Sequence, residues 1–389
     1  MNNDNLYHND ISNRGISAFI LGAILTTFYV LLYWFEELLG LGVDGADNTG
    51  FIALFDPLSQ FFKGQPASQW FAYGTLYTLF IVGFGIKFMF KYRENRYQLI
   101  RTSVVIFSQL ILAYLLPEIL EGFSDPNHYF AKDIKNVWPL NYYFFNEWHI
   151  DNMIDHGGNL GIFYFVVGLL MFLIVTPIAT YYYGKRWYCS WVCGCGGLAE
   201  TAGDAFRQHS SKKLSAWKLE RWMIHAVMVL VFIMTFATLY GYFTNSGTFL
   251  GLDIYTYFQK PYGFLIGAAF SGVVGVGFYP LLGSRVWCRF GCPMAGYMGI
   301  IQRFKSRFRI TTNGGQCISC GNCSTYCEQG IDVRAYAQKG QNIVRASCVG
   351  CGICSAVCPR GVLKLENAPE ENRIKENPIL IGKEEIKLK

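Results

Sequence analysis

Cys317-Ile-Ser-Cys320-Gly-Asn-Cys323-Ser-Thr-Tyr-Cys327 is followed, further along the chain, by Cys348-Val-Gly-Cys351-Gly-Ile-Cys354-Ser-Ala-Val-Cys358-Pro359. Each stretch spaces its thiols x2, x2 and x3, as bacterial two-cluster ferredoxins do. Three closely spaced thiolates wrap three corners of a cubic iron–sulfur core, and the fourth ligand comes from elsewhere. In this arrangement the fourth cysteine of each run serves the other cluster. Cys317, Cys320, Cys323 and Cys358 are thus expected to hold one [4Fe–4S] cluster, and Cys348, Cys351, Cys354 and Cys327 a second. Gly321, Gly350 and Gly352 let backbone amides approach the cluster sulfurs. Paired Cys-x2-Cys units also bind zinc, but zinc has no use for a doubled triplet. Glu328 stands where proline usually follows the fourth cysteine, and it removes no ligand.

Upstream of these runs the composition changes character. The 389 residues are 52% hydrophobic and only 15% charged, against roughly 25% charged in soluble domains. Six apolar segments are long enough for a bilayer, which needs about 20 residues each: Gly15–Phe35, Trp70–Phe90, Thr102–Leu120, Asn159–Tyr183, Trp222–Phe243 and Pro261–Gly283. Gln109, Pro117 and Glu118 make the third the weakest. The polar first fifteen residues and the long first apolar run argue against a cleaved signal peptide.

Basic residues orient the spans. Lys91, Arg93, Arg96 and Arg101 follow the second, and Lys185, Arg186, Arg207, Lys212, Lys213, Lys218 and Arg221 follow the fourth. The loops at 36–69, 121–158 and 244–260 hold one, two and one Lys or Arg. Positive charge on the inner side predicts both termini and the ferredoxin domain in the cytoplasm, beneath an inner (cytoplasmic) membrane. The net charge of +6 therefore has a topological meaning, with no basic patch for nucleic acid. No P-loop or GxGxxG follows a strand signal, so no nucleotide is expected. Thirteen cysteines, clustered at metal-ligand spacing, favour metal over disulfides.

A second constellation is a repeat. Gly184-Lys-Arg-Trp-Tyr-Cys189-Ser-Trp-Val-Cys193 aligns without gaps on Gly283-Ser-Arg-Val-Trp-Cys288-Arg-Phe-Gly-Cys292, at the cytoplasmic ends of the fourth and sixth spans. Repeats of this kind suggest two equivalent halves facing one site. Cysteines four apart share a face if the segment is helical. Cys189, Cys193, Cys288 and Cys292 are then redox candidates under three competing readings. They hold a third metal centre, iron–sulfur or copper. They cycle as dithiols activated by Arg186 and Arg285. Or they are inert small hydrophobes. Cys195 adds a thiol with no counterpart in the second copy.

These features together resemble the NapH- and NosR-type membrane polyferredoxins, and also the copper-reducing maturation factor of cbb3-type cytochrome oxidase. The shared signature is two membrane Cys-x3-Cys-Pro motifs followed by a two-cluster ferredoxin domain. It covers about residues 159–365. The resemblance implies a membrane-bound electron-transfer component of an oxidoreductase system. Its electrons would run between the quinone pool or a cytoplasmic donor and a nitrate or nitrous oxide type respiratory reductase. The alternative is an assembly factor that reduces copper or a disulfide. Cys292-Pro293 keeps the family proline, whereas Cys193 is followed by Gly194. The outer loops are too short for a flavin domain, and no further domain is expected after the clusters.

The fold expected is an α-helical polytopic membrane protein of about six transmembrane helices with a C-terminal α+β two-cluster ferredoxin-like domain. Its parts are a membrane domain at 1–310, the ferredoxin domain at 311–365 and a mobile charged tail at 366–389. Gly314–Gly315 serves as the hinge, and Arg303–Arg309 lies on the leaflet surface. Tyr129, Phe130, Trp138, Tyr142, Tyr143, Phe144, Phe145 and Trp148 form an aromatic belt or line a quinone pocket. His149 and His156, with Asp151 and Asp155, are expected on a solvated loop and as candidate proton acceptors during quinol oxidation. His225 is the one histidine clearly within a span, with no histidine facing it at similar depth, so haem is not expected.

Overall fold

The computed structural model describes residues 15–42, 46–123, 144–151, 153–154 and 158–367, together with strands at 379–381 and 384–386. Most of the outer aromatic cluster, along with Asp155 and His156, lies outside them, as does most of the tail from Glu370. Among the described residues, five helices are long and apolar enough to cross a membrane: α1 (Gly15–Trp34), α2 (Gln69–Lys91), α3 (Arg96–Gly122), α4 (Gly161–Tyr183) and α5 (Leu214–Thr244). Their outward faces carry Phe19, Ile20, Phe80, Leu173, Ile174, Phe232 and Phe236 exposed. Apolar surface on this scale is foreign to a water-exposed monomer.

Several polar residues of the spans turn inward and find one another. Tyr29 and Tyr73 hydroxyls lie 3.1 Å apart between α1 and α2, and Thr75 and Tyr114 hydroxyls 2.5 Å apart between α2 and α3. Glu118, which weakened the third segment as a span, reaches Lys63 at 3.1 Å. α5 has 31 residues, roughly 46 Å at the α-helical rise. It therefore outruns the hydrocarbon core of about 30 Å. Its first turns stand clear of the apolar stretch, and there Trp217 receives the Arg345 guanidinium 4.9 Å above its ring.

The segment expected as a sixth span is helical but lies outside those five. It starts earlier, at Tyr255–Gln259, continues through Lys260–Tyr262 and Gly263–Val274, and ends in turns before Tyr279–Leu282. Most of it is wound as π-helix. Glycines at 263, 267, 272, 275 and 277 weaken ordinary helix preference here. They also admit a neighbour: a Cβ on Gly272 would strike the Tyr33 and Tyr29 rings of α1. Close helix approach over small residues is how helices pack in lipid.

A helix α6 (Pro293–Phe304) leads into β3 (Phe308–Thr312), numbered after a two-residue hairpin, β1 (Thr248–Phe249) with β2 (Leu252–Asp253). β3 pairs antiparallel with β4 (Leu363–Asn367), in register from Phe308↔Asn367 to Thr312↔Leu363. All five residues of β3 are buried. The stretch 303–309 is the end of α6, where Arg303, Phe304 and Lys305 are exposed, and then the entry to a sheet, where Phe308 and Arg309 are buried. Arg307 N–H donates to the Tyr181 carbonyl at 2.7 Å and ties this entry to the end of α4. β3 starts at Phe308, three residues before 311, and Asn367 at the end of β4 pairs with it.

Candidate redox centre

Within the ferredoxin domain the two cysteine runs fold alike. Gly321 (φ 85°) and Gly352 (φ 79°) start the one-turn helices Asn322–Thr325 and Ile353–Ala356, each of which carries the third cysteine of its run. Left-handed backbone at both points is cheap only for glycine. One cavity is lined together by Cys317, Cys320, Cys323 and Cys358. Cys323 interacts electrostatically with Cys358, Cys320 and Cys317, whereas Cys354 interacts first with Cys351, Cys348 and Cys327. Among the described residues, no three thiols bring their sulfurs within 4.8 Å of one another. Zinc bonds of about 2.3 Å would draw a tetrahedron of sulfurs to roughly 3.8 Å. No three described thiols are spaced as tightly as a single zinc ion would hold them. Burial pushes the Cys323 and Cys348 thiols up to about 11. Their ligation would therefore release protons.

The membrane motifs are not single helical faces. Cys189 closes the helix Arg186–Cys189, and Cys193 caps the next helix, Gly194–Glu200. Cys288 lies in Val286–Phe290, and Cys292 caps α6, with its sulfur accepting from Ala295 N–H at 3.4 Å. Gly291 ends the first helix of this copy and Pro293 begins the second. Cys189, Cys288 and Cys292 share one apolar cluster with Trp287, Met294 and Met298, flanked by Trp187, Tyr188, Phe270 and Tyr297. Phe144 joins that cluster and stacks on Phe165 at 5.2 Å. Cys189, Cys193, Cys288 and Cys292 act on one another electrostatically across the two copies.

Cys195, unmatched in the second copy, completes the set. Its thiol donates to Cys193 and, with the Gly196 amide and Arg285, holds the Cys193 thiol down at about 6 against burial. Cys189 and Cys292 are raised by burial. Of the two arginines expected beside the thiols, Arg285 lies 3.8 Å from the Cys288 sulfur, whereas Arg186 stacks on Phe308.

Between the two cysteine constellations lies a buried network that sequence reasoning missed. Glu200 binds Arg101 and Arg285. Glu328 binds Arg207 at 2.6 Å and Arg285 at 2.9 Å. Asp204 binds Arg207 at 2.5 Å and Lys91 at 2.8 Å. Burial works to raise Glu328, but Arg207 and Arg285 outweigh it and hold it below the ordinary glutamate range. Four cations thus face three carboxylates, and the excess positive charge suits the thiolates beside them. Glu200, Glu328 and the Cys351 sulfur lie within 4.8 Å of one another.

The same elements clamp the loop of the second cysteine run. Tyr97 hydroxyl donates to the Gly350 carbonyl at 2.9 Å, and Gln98 and Arg101 donate to the Cys351 carbonyl at 2.9 and 3.3 Å. Ser190 Oγ lies 2.8 Å from Glu200 and 2.9 Å from the Val349 carbonyl. Arg285 reaches the Cys189 carbonyl at 3.2 Å. Gln109, which had weakened the third segment as a span, donates to the Val192 carbonyl at 2.6 Å from a π-wound stretch of α3, Ser108–Leu115. His149 is fully buried beside Phe144 and Trp148, contrary to the expected solvated loop. The only signals that pointed to this network were charges at span ends, which positive-inside counting had already explained.

Comparison with known proteins agrees with this geometry. A family described as a 4Fe-4S binding domain matches residues 164–213 and 264–311, the two copies of the membrane repeat. A 4Fe-4S dicluster domain matches 309–359. The chain carries 4Fe–4S ferredoxin domains. It is 26% identical over 172 residues to YccM of Escherichia coli (strain K12), named as an electron transport protein; that match covers 42% of this chain and 47% of YccM. It is 27% identical over 164 residues to the methylamine utilization ferredoxin-type protein MauN of Methylobacillus flagellatus, across 40% of this chain and 54% of MauN. The chain thus spans about half the length of these curated relatives. No solved structure matches it.

Proposed function

We propose that this protein is a membrane-embedded relay that passes single electrons between a cytoplasmic carrier and a partner oxidoreductase or the quinone pool. The observation that carries this reading is the clamp on residues 349–351. The loop of the second cysteine run is hydrogen-bonded to α3 and to Ser190, within the first membrane motif, while Arg285 spans Cys189, Cys288 and Glu328. [4Fe–4S] clusters supply one-electron storage when bound. The residues order the route. The set Cys317, Cys320, Cys323 and Cys358 comes first, since Cys320 is exposed. Cys348, Cys351, Cys354 and Cys327 come next, and Cys189, Cys193, Cys288 and Cys292 last. The aromatic shell around the last four excludes water, and the buried arginines offset negative charge.

Six passes, with both termini cytoplasmic, suit this arrangement. The helical run 255–274 begins beside Gln259, which joins Asn146 and Thr238 at the end of the bundle away from the ferredoxin domain. It is followed by the motif at 283–292, which faces the ferredoxin domain. A nitrate or nitrous oxide type reductase system is the partner class that the motif resemblance favours.

Anaerobic purification, iron counting and stepwise reduction followed by EPR test this reading. Two clusters give about eight irons per chain, with two interacting signals that appear on reduction. If the membrane thiols also ligate iron, the count rises above eight and Cys288→Ser returns it there. Zinc without acid-labile sulfide in folded protein would end the proposal.

A further inference from the structure

The two cysteine runs meet different surroundings. Cys348 and Cys354 are buried, and the 350–352 loop is covered by Tyr97, Gln98 and Arg101. The first run opens outward: Cys320 is exposed, and beside it Ile318 is 54% exposed. Arg334 and Arg360 line the cavity formed by Cys317, Cys320, Cys323 and Cys358. Both are exposed, as are Lys339 and Lys364, which adjoin its lining segments. Between residues 314 and 365 there are two carboxylates, Glu328 and Asp332. Glu328 is buried against Arg207. Asp332 is engaged by Ser324 Oγ at 2.8 Å and caps the helix Val333–Gln338. Among the described residues, the face around Cys320 is therefore an apolar spot flanked by four exposed cations, Arg334, Arg360, Lys339 and Lys364, against two nearby carboxylates, Asp332 and Glu366.

We propose that this face docks a soluble, acidic, one-electron carrier protein, with Ile318 at the centre of contact and Arg334, Arg360, Lys339 and Lys364 steering the approach. This deepens the relay reading above and rests on it. Electron tunnelling falls off steeply with distance, so a carrier must come close to one of the clusters, and Cys320 marks the exposed approach. Charge at the rim of such a contact acts mainly on association rate and its salt dependence. In the step itself, one electron leaves the carrier's reduced centre and one enters the site held by Cys317, Cys320, Cys323 and Cys358. No bond is made or broken and no proton moves.

The test uses the full-length, iron-loaded protein in nanodiscs and a plant-type [2Fe–2S] ferredoxin as the acidic probe. Binding is measured with its redox-inert gallium form, and electron transfer with the reduced form by stopped flow. Association is expected to weaken about tenfold between low salt and physiological ionic strength. The charge reversals Arg334→Glu with Arg360→Glu, and separately Lys339→Glu with Lys364→Glu, are each expected to slow association about tenfold. The Lys339/Lys364 variant should keep its EPR spectrum and its rate of reduction by photoreduced deazaflavin, a small reductant that needs no docking. Salt-insensitive binding, indifference to both reversals, or tighter binding of a basic carrier such as a cytochrome c overturns the docking proposal. Absence of cluster signals from the wild-type protein overturns the relay reading instead.

Discussion

Glu328 of the ferredoxin domain accepts a hydrogen bond from Arg207 of the membrane domain at 2.6 Å, both side chains being buried. The residue that breaks the ferredoxin motif, by replacing a proline, is the one that fastens the domain to its support. Removing it leaves two buried guanidinium groups, Arg207 and Arg285, short of an acceptor. Glu328→Ala should cost about 3–5 kcal/mol, the usual penalty for a stranded buried charge. Thermal or denaturant unfolding, with limited proteolysis near residue 307, measures this. Loss below 1 kcal/mol, roughly the value of an exposed ion pair, would show that the lock is not formed.

Lys212 gives a pH signature. Its ammonium donates to the Gln208 carbonyl at 3.2 Å and the Thr325 carbonyl at 3.1 Å, and burial lowers it from 10.5 to about 8. A depressed lysine makes the folded state bear a charging cost. That cost is fully present below pH 8 and is relieved as pH rises from 8 toward 10.5. Stability of the wild type, relative to Lys212→Met, should accordingly rise over that window. Rates of cluster absorbance loss, compared at neutral and alkaline pH, check the slope.

The thiol of Cys195 is expected to govern its neighbour. Without it, Cys193 loses the donor that holds its thiol at about 6. In metal-depleted protein Cys195→Ala should slow alkylation of Cys193 at neutral pH about threefold or more, since the thiolate is the nucleophile. Peptide mass spectrometry after timed alkylation reads this directly. An unchanged rate would mean that Gly196 N–H and Arg285 alone set its reactivity.

Local chemistry was legible in the sequence and long-range pairing was not. Cysteine spacing carries its own geometry, so the ferredoxin domains and the repeat could be read from adjacent residues. Glu328 was seen only as a missing proline, because its partners Arg207 and Arg285 are remote in the chain and carry no spacing rule. Gln109 and Glu118 looked like flaws in a span; each is spent on a polar contact that hydropathy does not register. Cysteines four apart share a face only on a continuous helix, and Gly291 and Pro293 break that helix in the second copy. The segment 255–274 was expected to start later, because Gln259 and Lys260 lower its hydropathy while Gln259 is in fact satisfied by Asn146 and Thr238.

The β3–β4 ladder acts as a strut. One end, Phe308↔Asn367, sits where the Arg186 side chain covers the Phe308 ring at the membrane domain; the other, Thr312↔Leu363, reaches the cavity of the first cluster, which Leu363 lines. Four steps of antiparallel strand set its length at roughly 14 Å. The separation between Phe308 at the Arg186 contact and the cavity that Leu363 lines is therefore written into a count of paired residues, a molecular ruler that side-chain changes along the strands leave untouched.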